Sequence, residues 1–197
     1  MQARAAGAAG HASLLRAIEQ LLRTLDNDQH HHRRRPRYVL GSIGNDTINA
    51  GANGGTDGYV DLDYSAIERG VDVVINGATG TGSVDKADAG TDSLLGLNAP
   101  MDAGAVNGGL GVYGGMNDDS FALNLAAGQW MQVRGGEGTD SYAITGSGDV
   151  RLRLDGGFGA VSVNLNTGTV IDDGFGNTEA ITGSGLGACR AALATTP

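Results

Sequence analysis

Residues 135–143 read GGEGTDSYA, with three glycines ahead of Asp140 and the aromatic Tyr142 two positions after it. Glycine reaches backbone angles that are closed to other residues, so the first half of this stretch predicts a tight turn. The second half predicts a short strand, on which Tyr142 points inward because side chains alternate between the two faces of a sheet. The stretch fulfils the nonapeptide pattern G-G-x-G-x-D-x-apolar-x completely.

Imperfect copies of this nonapeptide recur along the chain. Residues 114–122 read GGMNDDSFA, 41–49 read GSIGNDTIN, and 54–59 read GGTDGY, slipped by two residues. Each copy carries an apolar residue two positions after its aspartate, and these four residues are Ile48, Tyr59, Phe121 and Tyr142. This correlation favours repeated turn-and-strand units over random glycine-rich turns, and it predicts that all four residues point inward.

The composition agrees with a turn-rich β protein. Glycine accounts for 35 of the 197 residues and proline for 3, and 40% of the residues are hydrophobic. So much glycine disfavours helical and doubly wound folds, because each glycine inside a helix costs about 1 kcal/mol relative to alanine. Collagen is excluded because the glycines have no three-residue period, and the hydrophobic content is too high for a disordered chain. The sequence therefore predicts an all-β protein.

Charge divides the chain near residue 37. Residues 1–37 carry a net charge of +4 and residues 38–197 carry −13. Leucine and isoleucine at helical spacing over 14–25 predict one N-terminal amphipathic helix. The run HHHRRRPR over 30–37 predicts a solvated basic linker. A metal site or a nucleic-acid patch there is a weaker interpretation, because consecutive residues cannot all point at one ion. We expect a β domain over 38–187 and an irregular tail over 188–197, where the repeat pattern stops.

A second, longer similarity links residues 70–96 with residues 159–183. The segments share a Thr-Gly-Thr triplet, at 79–81 and at 167–169, preceded by alternating apolar residues and followed by an acidic loop. Each segment predicts a half-buried strand, a turn and a second short strand.

The nonapeptides resemble those of the RTX, or haemolysin-type calcium-binding, family over roughly residues 41–185. The resemblance implies a parallel β-roll or β-solenoid with Ca²⁺ between neighbouring turns, held by carbonyl and carboxylate oxygens. The ligands carried over to this sequence are Gly41, Gly44, Asp46, Gly55, Asp57, Gly114, Gly115, Asn117, Asp119, Gly135, Gly136, Gly138 and Asp140. The aspartates are not spaced every nine residues, so we expect one to three ions.

The same resemblance implies a non-catalytic module of a secreted bacterial protein that folds on binding calcium outside the cell and leaves by type I secretion. The chain has one cysteine, which forbids an internal disulfide, and no apolar stretch long enough to span a membrane. The N-terminus does not read as a cleavable signal peptide. Other domains of a larger protein, or a cell-surface or sugar ligand, are the expected partners. The strong negative charge disfavours nucleic acid.

An enzyme is the alternative that the sequence leaves open. There is no HExxH motif, and all four histidines, at 11, 30, 31 and 32, precede the acidic domain. A zinc protease and a histidine-based triad are therefore disfavoured. A carbohydrate-active enzyme that uses a pair of carboxylates stays an alternative, because such pairs occur at Asp61/Asp63, Asp118/Asp119 and Asp172/Asp173. Trp130 and Tyr113 could instead stack on a sugar in a sugar-binding adhesin.

Overall fold

The computed structural model describes residues 29–31, 37–51, 59–102, 109–184 and 186–191, and these residues form mostly β-strands. The predicted all-β class is confirmed, whereas the predicted N-terminal helix lies outside the described residues. Besides the strands there are a short helix, α1 (Asn98–Met101), and one 3₁₀ turn (Ala87–Ala89). The strands are β1 (Gln29–His31), β2 (Arg37–Leu40), β3 (Thr47–Asn49), β4 (Tyr59–Asp63), β5 (Asp72–Asn76), β6 (Thr81–Asp85), β7 (Thr91–Leu95), β8 (Gly109–Tyr113), β9 (Ser120–Leu125), β10 (Trp130–Arg134), β11 (Ser141–Gly146), β12 (Asp149–Leu154), β13 (Val161–Asn164), β14 (Thr169–Asp173), β15 (Glu179–Gly183) and β16 (Leu186–Ala191).

The strands form two sheets. The larger sheet has the order β1-β3-β7-β6-β5-β9-β11-β15-β14-β13, and the smaller has the order β16-β12-β10-β8-β4-β2. From β8 to β12 successive strands alternate between the sheets, so each strand pairs in parallel with the strand two places along the chain. Parallel pairing brings the turns that follow β8 and β10 to the same edge of the molecule.

The core lies between the two sheets and consists of the inward-facing residues of both. Strand β9 alternates buried and exposed residues, as the period of two requires. The ring of Phe121 stacks on that of Tyr142 with centroids 5.0 Å apart. Ile48, Phe121 and Tyr142 are buried, which confirms three of the four inward-facing residues expected from the nonapeptides.

The fourth, Tyr59, is only half-buried, so that expectation was wrong. The inward face of β4 is taken by Val60 and Leu62, which are fully buried. Because side chains alternate, Tyr59 lies on the outer face of the smaller sheet. There its ring lies 6.0 Å from that of Trp130.

Two three-strand units account for the longer sequence similarity. Strands β5, β6 and β7 form an antiparallel meander, and β7 then pairs in parallel with β3. Strands β13, β14 and β15 form an equivalent meander, and β15 pairs in parallel with β11. We call β3 with β5–β7 the first unit, and β11 with β13–β15 the second unit.

The hairpin turns of the two units are alike in detail. In the first unit the hydroxyl of Thr79 donates to the carbonyl of Asn76 at 3.3 Å, and in the second Thr167 donates to Asn164 at the same distance. Gly80 and Gly168 hold φ values of +67° and +65°, which side-chain-bearing residues rarely adopt. The two strands and the turn predicted for each segment are therefore confirmed, but the middle strands β6 and β14 lie where an acidic loop was expected.

The strands extend beyond the predicted domain boundaries at both ends. Strand β16 includes residues 188–191, which were expected to be irregular, and it pairs with β12. It is ordered because Leu186 and Cys189 pack against the core. At the other end, Gln29–His31 pairs with β3, although the sequence analysis assigned these residues to the linker.

Candidate cation site

The turns 114–119 and 135–140, which carry two of the predicted calcium motifs, stack directly on one another. The amide of Thr139 donates to Asp118 Oδ1 at 2.7 Å, and the amide of Asp119 donates to Asp140 Oδ1 at 2.9 Å. A Cβ atom added at Gly136 would lie 3.0 Å from the carbonyl oxygen of Gly115. The structure thus brings these two motifs into contact.

The first glycine of each turn makes room for the aspartate of the same turn. A Cβ atom at Gly114 would collide with the carboxylate of Asp119, and one at Gly135 would collide with that of Asp140. The same atom at Gly135 would lie 2.6 Å from Tyr142 Oη, so the hydroxyl and the carboxylate meet above this glycine. The motif therefore needs its first glycine for space, and this position is closed even to alanine.

Asp119 is buried, and backbone amides satisfy both of its carboxylate oxygens. Oδ1 accepts the amide of Val71 at 2.6 Å, and Oδ2 accepts that of Gly115 at 2.8 Å. Burial, reinforced by the neighbouring carboxylate of Asp140, raises the pKa of Asp119 to about 8, although the two amides oppose this shift.

Asp140 lies in a group of buried carboxylates together with Asp173, at the end of β14, and Glu179, at the start of β15. We call these three residues the acid cluster. They are exposed by 1%, 2% and 3% respectively. Burial raises the pKa of Asp140 to about 7, with a further contribution from Asp173. Burial together with Asp140 and Asp173 raises the pKa of Glu179 to about 8.

Several polar atoms of this group lack a hydrogen-bond partner. Asp140 Oδ2, Asp173 Oδ2 and Glu179 Oε2 are buried without one, and so is the hydroxyl of Tyr142. The other oxygen of Asp173 is satisfied, because it accepts the amides of Phe175 at 2.8 Å and Asn177 at 3.0 Å. Among the residues that the structure describes, no lysine, arginine or histidine forms a salt bridge with the acid cluster.

The first unit has a comparable group of buried polar residues, but it includes a cation. The amide of Asp46 donates to Asp92 Oδ1 at 3.1 Å, and the hydroxyl of Tyr64 donates to Asp92 Oδ2 at 2.9 Å. Lys86 Nζ forms a salt bridge with Asp92 Oδ1, and both side chains are fully buried. Asp92 is therefore neutralised within the chain.

Residues 87–92 (ADAGTD) are a copy of the turn that the sequence analysis missed. The amide of Thr91 donates to Asn45 Oδ1 at 2.7 Å, as that of Thr139 does to Asp118. The signal was the string GTDS at 90–93, which recurs at 138–141. It was obscured because Ala87 and Asp88 stand where the two leading glycines would be.

The predicted ligands therefore do not form one stack. Gly44 and Asp46 lie beside residues 87–92, whereas Gly41 lies beside Asp63 and Tyr64. Three strands of the larger sheet separate β3 from β9. Gly114, Gly115, Asn117 and Asp119 stack on Gly135, Gly136, Gly138 and Asp140. Gly55 and Asp57 lie outside the described residues.

Asp173 and Glu179 were missed as candidates because neither belongs to a nonapeptide. The longer similarity contained the signal, since it aligns Leu94 with Ile181 and hence Asp92 with Glu179. In the described part of the chain, no three His, Cys, Asp or Glu side chains are arranged, as they stand, to hold a metal ion.

No family model, curated protein or solved structure matches this chain. None of the helices in the described ranges has the length and apolar character needed to cross a membrane.

A second feature is a cleft of about 340 Å³, lined by outer-face side chains of the smaller sheet and by glycines of the stacked turns, Gly114, Gly115, Gly135 and Gly136. Tyr113, Arg134, Arg153 and Phe175 are among its lining residues. Asp155 holds both arginines, accepting from Arg134 Nη2 at 2.9 Å and from Arg153 Nη2 at 2.6 Å. Burial alone would raise the pKa of Asp155, but these hydrogen bonds lower it to about 2.

Proposed function

We propose that this chain is a calcium-binding module of the RTX type, in which the ion acts at the acid cluster and the stacked turns beside it. One observation carries the proposal. Asp140, Asp173 and Glu179 are buried together with unpartnered oxygens, and no basic residue in the described part of the chain pairs with them.

The physical argument is that ionised carboxylates cannot stay buried without compensation. Removing such a group from water costs several kcal/mol unless it is protonated or paired with a cation. Calcium prefers carboxylate and carbonyl oxygens and takes six to eight of them. The carboxylates of Asp140, Asp173 and Glu179 would have to turn towards one another to hold the ion, together with carbonyl oxygens of the turns 114–119 and 135–140. These donors suit a hard cation, which would supply the missing positive charge.

The same reasoning connects ion binding with folding. Without a cation the carboxylates repel one another, and a glycine-rich chain loses much conformational entropy when it becomes ordered. Ion binding to the folded state alone adds its free energy to that of folding. Extracellular calcium modules bind with dissociation constants of about 10⁻⁴ to 10⁻³ M, so the module would be loose in the cytosol and ordered outside the cell.

The proposal extends to the architecture and the setting. The alternation of strands between two sheets supports a β-solenoid whose coils carry the calcium turns along one edge. We take the module to be non-catalytic and to belong to a secreted bacterial protein that leaves by type I secretion, as the resemblance of the nonapeptides implies.

The test is a calcium titration of the full chain, followed by far-UV circular dichroism and calorimetry, with magnesium as the ion control. We expect saturable calcium binding that raises the melting temperature, and little response to magnesium, which demands a tighter octahedral shell. Asp140→Asn should weaken the response at least tenfold. Asp118→Asn is the matched control, because Asp118 lies in the adjacent turn but is exposed. A chain equally stable in chelator and in calcium would contradict the proposal.

A second candidate function is ligand binding in the cleft, and it is favoured by the aromatic and arginine side chains that line it. Tyr113 and Phe175 offer rings for stacking on a sugar, and Arg153 is held in place by Asp155. A glycan-binding screen tests this function. Arg153→Gln should abolish any binding found, whereas Arg151→Gln should not, because Arg151 lies on the same strand over Trp130 and does not line the cleft.

A further inference from the structure

Lys86 of the first unit and Asp173 of the second occupy the same place in the two meanders. Lys86 stands six residues before Asp92, and Asp173 stands six residues before Glu179. The amide of Lys86 donates to the carbonyl four residues ahead at 2.8 Å, and that of Asp173 does the same at 3.2 Å. Lys86 directly follows β6 and Asp173 is the last residue of β14, so both stand where the chain leaves the middle strand of the meander. Equivalent positions in the two units therefore carry opposite charges.

The two side chains have opposite effects on the carboxylate that follows them. Lys86 places its ammonium group on Asp92, whose other oxygen accepts the hydroxyl of Tyr64. Asp173 instead adds a third carboxyl group beside Asp140 and Glu179. The hydroxyl of Tyr142, 1% exposed, also lacks a partner in the second unit. This hydroxyl meets the carboxylate of Asp140 above Gly135, so it faces the same space as the unpartnered carboxylate oxygens.

We propose that Lys86 is an internal cation that takes the place of a metal ion in the first unit, so that a divalent cation is needed in the second unit alone. The inference rests on the proposed function and specifies it further. The ammonium group of a lysine supplies one positive charge and three hydrogen-bond donors to a buried carboxylate. Without Lys86, the carboxylate of Asp92 would be buried without a compensating charge. The first unit is then ordered without metal, and the second becomes ordered with it.

The first half of the test removes the internal cation from the full-length chain in two ways. Lys86→Ala leaves space beside Asp92, whereas Lys86→Met fills most of that space without a charge. Both variants should be less stable than the wild type in chelator. Calcium at about a hundredfold above its dissociation constant should raise the melting temperature of Lys86→Ala by about 5 to 10 °C more than that of Lys86→Met. Arg69→Ala is the control, since its salt bridge with Asp88 in the same region is exposed.

The second half introduces a cation into the other unit. Asp173→Lys should make the acid cluster independent of metal, so the variant should have the same stability in chelator and in calcium. This stability should be lower than that of the wild type in calcium, because the amides of Phe175 and Asn177 lose their acceptor. Asp172→Lys changes the net charge equally one residue away, at a position that is only half-buried. It should keep the calcium response of the wild type.

The two proposals fail in different ways. The role of Lys86 is overturned if calcium stabilises Lys86→Ala no more than Lys86→Met. It is also overturned if Lys86→Ala stays unfolded at a calcium concentration about ten times the weakest dissociation constant of extracellular calcium modules. If the wild type ignores calcium while Lys86→Ala responds to it, the proposed function of the second unit fails and the role of Lys86 stands. An Asp173→Lys variant that still requires calcium counts against the equivalence of the two positions.

Discussion

The two units of the larger sheet share their strand order, their hairpin turns and a buried acid at the start of the returning strand. They differ in what surrounds that acid. In the first unit Asp92 receives the ammonium group of Lys86 and the hydroxyl of Tyr64. In the second, Glu179 faces Asp140 and Asp173, and its Oε2 atom has no partner. The comparison shows that the same strand order accommodates a buried acid with a cation in one unit and without one in the other. We propose that the residue at the position of Lys86 or Asp173 makes this difference.

The largest expected effect is on the pH dependence of the second unit in chelator. Burial raises the pKa values of Asp140, Asp119 and Glu179 to about 7 to 8, far above those of the unfolded chain. The folded state therefore holds protons that the unfolded state has released, and stability falls as pH rises from about 4 to about 8. We expect a loss of a few kcal/mol over this range, measured by urea denaturation at a series of pH values.

Calcium should change this pH dependence. A bound ion that compensates the ionised carboxylates should reduce the loss of stability above about pH 6, because the folded state then no longer needs protons on these groups. A chain whose stability in chelator is constant from pH 4 to pH 8 would show that the acid cluster is already compensated, as Asp92 is in the first unit.

The next largest effect is expected for Gly135→Ala. Its Cβ atom would collide with the carboxylate of Asp140, so we expect a loss of about 3 kcal/mol, at the upper end of overpacking costs. Gly176→Ala is the control, because Gly176 has φ +95° but no atom near a Cβ, and strain alone should cost about 1 to 2 kcal/mol. Urea denaturation in saturating calcium, where we expect the second unit to be ordered, gives both values. Equal losses would mean that the carboxylate moves aside easily.

The smallest effects are expected from removing one hydroxyl in each unit. Tyr64→Phe deletes a donor to the buried carboxylate of Asp92 and should cost about 1 to 2 kcal/mol. Tyr142→Phe deletes a hydroxyl that has no partner, so in chelator it should be neutral or slightly stabilising. Thermal denaturation of the two variants measures the difference. A larger loss for Tyr142→Phe would contradict the contrast between the units.

Local patterns made much of the fold predictable. A glycine-rich turn followed by alternating residues dictates a strand and its inward side chain, as the burial of Ile48, Phe121 and Tyr142 confirms. The similarity of 70–96 to 159–183 also predicted the first and last strands of both meanders, but it placed an acidic loop where the middle strands β6 and β14 lie. Tyr59 was wrongly predicted to point inward because its motif is shifted by two residues relative to the other copies. The inward-facing residues of β4 are Val60 and Leu62.

The candidate site was less predictable, because it depends on which turns meet. Only β9 and β10 separate the stacked turns 114–119 and 135–140 along the chain. By contrast, β3, β4 and the hairpin of β5 and β6 separate the turn at 41–46 from residues 87–92, which it contacts. Sequence spacing does not reveal such long-range pairing. The buried position of Lys86 was also invisible, since lysine is almost never fully buried unless it is paired.

The most direct test of the account is residue-resolved hydrogen exchange of the full chain in chelator and in calcium. We predict that calcium increases the protection of amides in β11, β15 and the turn 135–140. The amides of β3, β7 and residues 87–92 should be protected to the same degree in both conditions, because Lys86 neutralises Asp92 without metal. Equal protection gains in the two units, or gains confined to the first, would contradict the account.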